Sequence, residues 1–179
     1  MKTVKIKDKE FELFLTQEEI EAAIDAVAEK MNAELADKDP LFVCVLNGSF
    51  IYASELMKRI SIPSEISFVK MSSYKGTKST GKLKEIYGLE EDIKGRTVVI
   101  VEDIVDTGYT MNLILDQLMD DEPKELLVTT LLLKPDVLKY SVHPDYVALE
   151  IPNDFIVGYG LDYDGYGRNL PNIYKLKQS

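Results

Sequence analysis

Three carboxylates in one short segment, Glu102, Asp103 and Asp106, carry the strongest chemical signal in the chain. They follow the apolar run Val98-Val99-Ile100-Val101 and precede Thr107-Gly108-Tyr109-Thr110. Such a run fits a strand buried on both faces, as in a parallel sheet. An unpaired carboxylate in apolar surroundings is costly, so a buried strand that runs into Glu-Asp needs a reason to do so. At the C-terminal edge of a parallel sheet the reason is a ligand, because acids placed there open into the crevice where such sheets bind. Thr107 to Thr110 can start a helix and turn backbone N–H groups toward an anion. The spacing therefore offers metal- or hydroxyl-binding acids beside a phosphate cradle. Asp106 has a plainer alternative use, as a cap on the helix that follows.

Other residues able to do chemistry are dispersed. Asn47-Gly48, after the apolar run Leu41 to Leu46, is a strong turn signal. Ser72 to Gly81 is polar and glycine-bearing with no periodicity, which marks a loop. Lys134 follows apolar residues and precedes Pro135, placing it at a strand end. Phe155, in Phe155-Ile156-Val157, reads by itself as core, and His143, before Pro144, as a surface turn. The single cysteine, Cys44, lies in an apolar run and reads as a small buried hydrophobe, with no disulfide possible within the chain.

The elements that must position these groups alternate. Thr16-Gln17-Glu18-Glu19 is a capping box. Behind it Ile20, Ala23, Ile24, Val27, Ala28, Met31 and Leu35 recur at helical spacing, predicting a helix to about Ala36. Strands are predicted at Leu41 to Leu46, Ser64 to Met71, Thr97 to Val101, Leu126 to Leu133, Tyr146 to Glu150 and Phe155 to Val157. Helices are predicted over Phe50 to Ile60 and through Met111, Ile114, Leu115 and Leu118. Strands alternating with helices imply an α/β fold with a mostly parallel central sheet flanked by helices. At 179 residues the chain is read as one domain, residues 1–179. The net charge of −10 argues against nucleic acid as a partner. It also means that a phosphate ligand must be neutralised locally. Met1 to Lys7 lacks an apolar core segment, and no apolar stretch reaches the ~20 residues that span a bilayer. A cytoplasmic protein with no membrane association is expected.

With these segments in hand, the chain resembles the hypoxanthine-guanine phosphoribosyltransferases, over roughly Leu41 to Leu170. Val98 to Thr110 looks like the phosphoribosyl pyrophosphate motif of the wider class, and Leu46-Asn47-Gly48 like the family's pyrophosphate loop. Ser73-Tyr74 looks like its lid dipeptide. Lys134-Pro135, Phe155 to Tyr163 and Arg168 resemble the purine-specific part. The resemblance implies the type I phosphoribosyltransferase fold. A small hood, built from the N-terminal segment and about 150–179, would lie over the sheet's C-terminal edge, with a flexible lid at about 72–81.

It also implies a reaction: Mg²⁺-dependent transfer of ribose 5-phosphate from phosphoribosyl pyrophosphate to N9 of hypoxanthine or guanine, giving IMP or GMP and pyrophosphate. Glu102 and Asp103 would hold the ribose hydroxyls and Mg²⁺, which favours a few carboxylates plus ligand oxygens and water. Asp106 would act as general base or acid at purine N7. Thr107, Gly108, Tyr109 and Thr110 would cradle the 5′-phosphate. Asn47, Gly48 and Arg168 would bind pyrophosphate. Some family members carry Lys where Asn47 stands, so the backbone is the expected ligand there, and the family can have a cis peptide at the position of Leu46-Asn47. Lys134 would donate to the purine O6, Phe155 would stack on the base, Ile156 would offer backbone groups, and Asp162 would face a second Mg²⁺. Ser73 and Tyr74 would close over the reaction centre. Relatives form homodimers or homotetramers, and one of these is expected. Two other readings stay open. One is a xanthine-preferring or pyrimidine relative; the other is a non-catalytic regulator that senses nucleotides on the same fold.

Overall fold

A computed structural model describes residues 3–73 and 84–177. Tyr74 and most of the expected lid lie outside the described residues, and Ser73 is placed only as backbone at a strand end. In order the chain forms β1 (Thr3–Ile6), β2 (Lys9–Leu15), α1 (Gln17–Glu34), β3 (Leu41–Leu46), α2 (Phe50–Met57), β4 (Glu65–Ser73) and β5 (Lys84–Tyr87). It continues through β6 (Thr97–Val105), α3 (Tyr109–Met119), β7 (Glu125–Leu133), a 3₁₀ turn (Pro135–Val137), β8 (Tyr146–Glu150), β9 (Ile156–Val157) and β10 (Ile173–Leu176).

The larger sheet has the order β5-β4-β3-β6-β7-β8. Its pairings are parallel except for β4 with β5. Numbered among themselves, the parallel strands run 2-1-3-4-5, a doubly wound order whose direction reverses between β3 and β6. Alternating side chains of these strands feed two cores. Phe42, Cys44, Val99 and Val101 pack with Ile20, Ile24, Met31 of α1 and Tyr52, Leu56 of α2. Val43, Val45, Val98 and Ile100 pack with Met111, Ile114 and Leu118 of α3. Both faces are covered, which is why β3 and β6 read as unbroken apolar runs rather than alternating ones.

α1 starts as the capping box requires: the Thr16 side chain accepts from the Glu19 N–H, and Glu19 reaches back to the Thr16 N–H (2.8 Å). The smaller sheet, β1-β2-β10-β9, is antiparallel and joins the N-terminal hairpin to the C-terminal segment. Its own core is Ile6, Phe11, Val157 and Tyr174. Ile156, Tyr159, Leu161 and Ile173 enter the main core, tying the hood to the α1–α2 face.

One element differs instructively from the sequence reading. The strand expected to end at Val101 continues to Val105, with Glu102 opposite Thr130 and Ile104 and Val105 opposite Leu132 and Leu133. The acids are therefore strand residues. Ladder pairing with β7 holds the backbone extended through two charged positions that local hydrophobicity marks as an end. The helix after Ser49 is also shorter than expected, closing at Met57.

Candidate active site

The carboxyl ends of β3 and β6 meet where the sheet order reverses, the place where a doubly wound sheet leaves a crevice. A cavity of about 400 Å³ opens there. Its walls are Val45 to Gly48 from the end of β3, Glu102 to Met111 from β6 and the start of α3, and Asp162 with Arg168 from the hood. Asn47, Gly48, Glu102, Asp103, Asp106, Thr107, Gly108, Tyr109 and Thr110 thus line one space, as the sequence reading requires of them.

Two glycines set how closely the walls approach. A Cβ on Gly48 would fall 1.6 Å from Asp103 Oδ2, and one on Gly160 would fall 2.0 Å from the Gly48 carbonyl oxygen. Gly160 also has a φ of +102°, a conformation that L side chains rarely adopt. Asp103, the β3 turn and the hood are stacked with no room for a side chain between them. The Leu46–Asn47 peptide entering this turn is cis.

Glu102 is buried at 8% exposure. Burial, and next the charge of neighbouring Asp103, push its carboxyl well above the usual carboxylate range. Burial also raises Asp103, opposed by its hydrogen bond with Glu102 and by the charge of Arg168. The Ile104 N–H donates to Asp103 Oδ1 (2.9 Å). A cation bound beside these two acids would offset the cost of ionising them, which suits a hard ion that also takes ligand oxygens. Among the described residues no group of three or more His, Cys, Asp or Glu side chains could hold a metal by itself. Any divalent ion here would need ligand oxygens as well. Asp162 is engaged on both oxygens: Arg168 Nη2 contacts Oδ1 (2.6 Å) and the Gly165 N–H donates to Oδ2 (2.6 Å). Arg168 Nη1 donates to the Gly160 carbonyl (2.7 Å), which fixes the guanidinium beside the cavity.

α3 starts at Tyr109, after Gly108, whose φ of +83° lets the chain turn from Thr107 into the helix, and the Tyr109 N–H donates to Thr107 Oγ1 (3.4 Å). The first turn of the helix lines the cavity, so its partial positive charge is available to an anion. Asp106 does not cap the helix. Its Oδ2 lies 3.3 Å from Lys134 Nζ, and Lys134 is itself buried at 6% exposure. Lys134 also donates to Asn153 Oδ1 (3.3 Å). The Lys134 N–H donates to the Val105 carbonyl (3.0 Å), placing the base of its side chain beside the end of β6.

Lys134, Phe155 and Ile156 lie outside the cavity wall. Lys134 reaches it through Asp106, and Ile156 is buried in β9. Phe155 is 46% exposed, an unusual state for a residue that reads as core. It sits 5.9 Å edge-on to Tyr163 and 6.1 Å from Phe11, with Lys9 Nζ 5.4 Å from its ring centre. Three participants escaped the sequence reading: Asn153, Lys9 and Gly160. Gly160 had a usable signal in the spaced glycines of Gly158-Tyr159-Gly160. Asn153 and Lys9 had none, since their partners are remote in sequence.

Comparison with known proteins places this geometry. The phosphoribosyl transferase domain family matches residues 12–164. A hypoxanthine-guanine phosphoribosyltransferase of Aquifex aeolicus is 37% identical over 174 residues, covering 96% of this chain and 98% of the relative. One from Mycobacterium tuberculosis is 39% identical over 171 residues, covering 92% and 85%. The crystal structure of a hypoxanthine phosphoribosyltransferase from Staphylococcus aureus superposes with a TM-score of 0.85 at 36% identity, covering 93% of this chain and 91% of that one. With the motif at the switch point and matches that span both the sheet and the hood, the chain belongs to the hypoxanthine-guanine phosphoribosyltransferases.

Proposed function

We propose that the protein is a purine-salvage enzyme. It transfers ribose 5-phosphate from phosphoribosyl pyrophosphate to N9 of hypoxanthine or guanine, releasing IMP or GMP and pyrophosphate. The observation that carries this reading is a single cavity bounded by the adjacent acids Glu102 and Asp103, the start of α3, an Asn-Gly turn and an Arg-Asp pair, with a buried lysine behind Asp106.

The residues divide the work. Thr107 to Thr110 bind the 5′-phosphate through hydroxyls and the α3 N-terminus. Asn47 and Gly48 offer backbone N–H groups to the pyrophosphate, and Arg168 adds a fork donor. Glu102 and Asp103 hold the ribose hydroxyls and would hold one Mg²⁺, while Asp162 would face a second. Bound there with ligand oxygens, Mg²⁺ neutralises charge on the leaving pyrophosphate. N7 and O6 are neighbouring polar atoms on one purine edge. Asp106 and Lys134, 3.3 Å apart, form a matching pair of groups for that edge. Lys134 donates to O6, and Asp106 accepts or returns the proton at N7. Adenine, with an amino group at position 6, meets the lysine donor with another donor and is refused. Phe155 stacks on the base and Ile156 contributes backbone groups. Ser73 and Tyr74 close over the site, keeping water from the oxocarbenium-like carbon.

The chain works as one domain and as a homodimer or homotetramer. Ile66 and Phe68 support the assembly. Their register with Phe42 and Cys44 puts them on the α2 side of the sheet, yet they remain 36% and 47% exposed. Among the described residues no helix is long and apolar enough to cross a membrane, in keeping with a cytoplasmic location.

The test supplies phosphoribosyl pyrophosphate and Mg²⁺ with hypoxanthine, guanine, xanthine, adenine or uracil in turn and follows nucleotide formation. Turnover of hypoxanthine or guanine but not adenine, lost on adding a chelator, is the expected result. Turnover of xanthine or uracil alone would overturn the base-pocket assignment. Binding of phosphoribosyl pyrophosphate without turnover of any base would overturn catalysis.

A further inference from the structure

Lys134 has three ammonium protons and no acceptor capacity. Two of its contacts are built into the protein: Asp106 Oδ2 on the cavity wall and Asn153 Oδ1 in the loop between β8 and β9, each at 3.3 Å. The two partners differ in a way that matters. Asp106 is a carboxylate that, on the proposed function, must turn to the base at N7. Asn153 is a neutral amide on an exposed rim residue and takes no part in the cavity wall. A buried ammonium left without a partner carries a heavy desolvation penalty, so Lys134 needs a second acceptor at the moment Asp106 turns away. A carboxylate in place of Asn153 would supply that acceptor, but it would also neutralise the lysine and compete with O6 for its protons.

We propose that Asn153 is a positioning residue. It anchors the Lys134 ammonium through a neutral carbonyl, so that the lysine can exchange Asp106 for the 6-oxo group of the incoming base without losing its charge. This rests on the proposed function and adds to it a determinant of base affinity outside the cavity. Asn153 also keeps the lysine from settling permanently onto Asp106. It does so by holding Nζ at the same 3.3 Å as the carboxylate does. The 3₁₀ turn Pro135–Val137 follows directly on Lys134, with Pro135 limiting the backbone there.

The experiment compares Asn153→Asp, Asn153→Ala and Asn153→Ser with the unaltered protein, measuring kcat, KM for hypoxanthine, KM for phosphoribosyl pyrophosphate and Tm. The expected result for Asn153→Asp is a rise of roughly tenfold in KM for hypoxanthine, the scale of one charged hydrogen bond, with KM for phosphoribosyl pyrophosphate within about twofold. Asn153→Ala should show a similar rise, and Asn153→Ser, which keeps a neutral oxygen, should recover part of it. An unchanged KM for hypoxanthine in Asn153→Asp and Asn153→Ala, with the unaltered protein active, overturns this inference and leaves the proposed function standing. Parallel losses in both KM values together with Tm show a merely structural role and also overturn it. If the unaltered protein turns over no 6-oxopurine, the proposed function fails and this inference fails with it.

Discussion

The residues proposed for the phosphate side and those proposed for the base side are built into the fold in opposite ways. The phosphate side comes from one continuous stretch, Glu102 to Met111, in which a strand, a glycine turn and a helix start follow directly on one another. Its geometry is set by residues adjacent in the chain. The residues proposed for the base lie outside the cavity wall and are gathered from three distant places: Lys134 at the end of β7, Asn153 before β9, and Phe155 beside Phe11 and Tyr163 in the hood. A ligand group common to a whole enzyme class can be met by a local motif. A group that distinguishes one base from another is met by side chains that only folding brings together.

Substitutions on the two sides should therefore fail differently. The largest effect is expected at their junction. Asp106→Asn removes the proton acceptor while keeping the shape, and kcat should fall about 10²- to 10⁴-fold with little change in KM for phosphoribosyl pyrophosphate. Equal losses in both, measured by steady-state kinetics, would place Asp106 on the phosphate side alone. Gly160→Ala drives a Cβ to within 2.0 Å of the Gly48 carbonyl at a φ of +102°. Unfolding in urea should show a loss of about 3 kcal/mol, accompanied by weaker pyrophosphate binding. Retention of full stability would mean that the hood moves freely over the β3 turn. Lys134→Ala should raise KM for hypoxanthine roughly tenfold or more and leave phosphoribosyl pyrophosphate binding intact. It should also narrow the preference against adenine. Phe155→Ala should weaken base binding by ~1–3 kcal/mol in calorimetry, with the phosphate side untouched.

The smallest effect is on pH. Burial pushes the Cys44 thiol up to about 11, from an ordinary value near 9. The folded state then holds this proton more tightly than the unfolded one. Its contribution to stability is fully present below about pH 9 and is lost as pH rises toward 11. Melting curves of the unaltered protein should fall by a few degrees over that window, and those of Cys44→Ala should fall less. At pH 8 the thiol should resist iodoacetamide until the protein is unfolded.

The legibility of the chain follows the same division. Leu41–Leu46 and Tyr146–Glu150 are strands with the limits that hydrophobicity predicts, and the capping box at Thr16 starts α1. These signals are local, so no tertiary information was needed. The hairpin of β1 and β2, its pairing with β10, and the short antiparallel β5 were not predicted as strands. Val4-Lys5-Ile6 and Glu10-Phe11-Glu12-Leu13 carry the alternation of a half-buried strand, but the runs are short and the hairpin's partner strand is more than 150 residues away. Phe155 shows the converse case. Its neighbours Ile156 and Val157 are buried, and a sequence pattern cannot separate it from them.

By itself, then, the amino-acid sequence determined the doubly covered parallel strands, the acids that follow the apolar run and the glycine turn that opens α3, because each depends on residues within a turn or two of one another. Only the tertiary structure decided that β6 extends through Glu102 to Val105, that Gly48 and Gly160 must stay bare, and that Lys134 is shared between Asp106 and Asn153. The reason is physical. Ladder pairing, close backbone approach and the sharing of a buried charge are contacts between segments far apart in the chain, and their energies exist only once those segments meet.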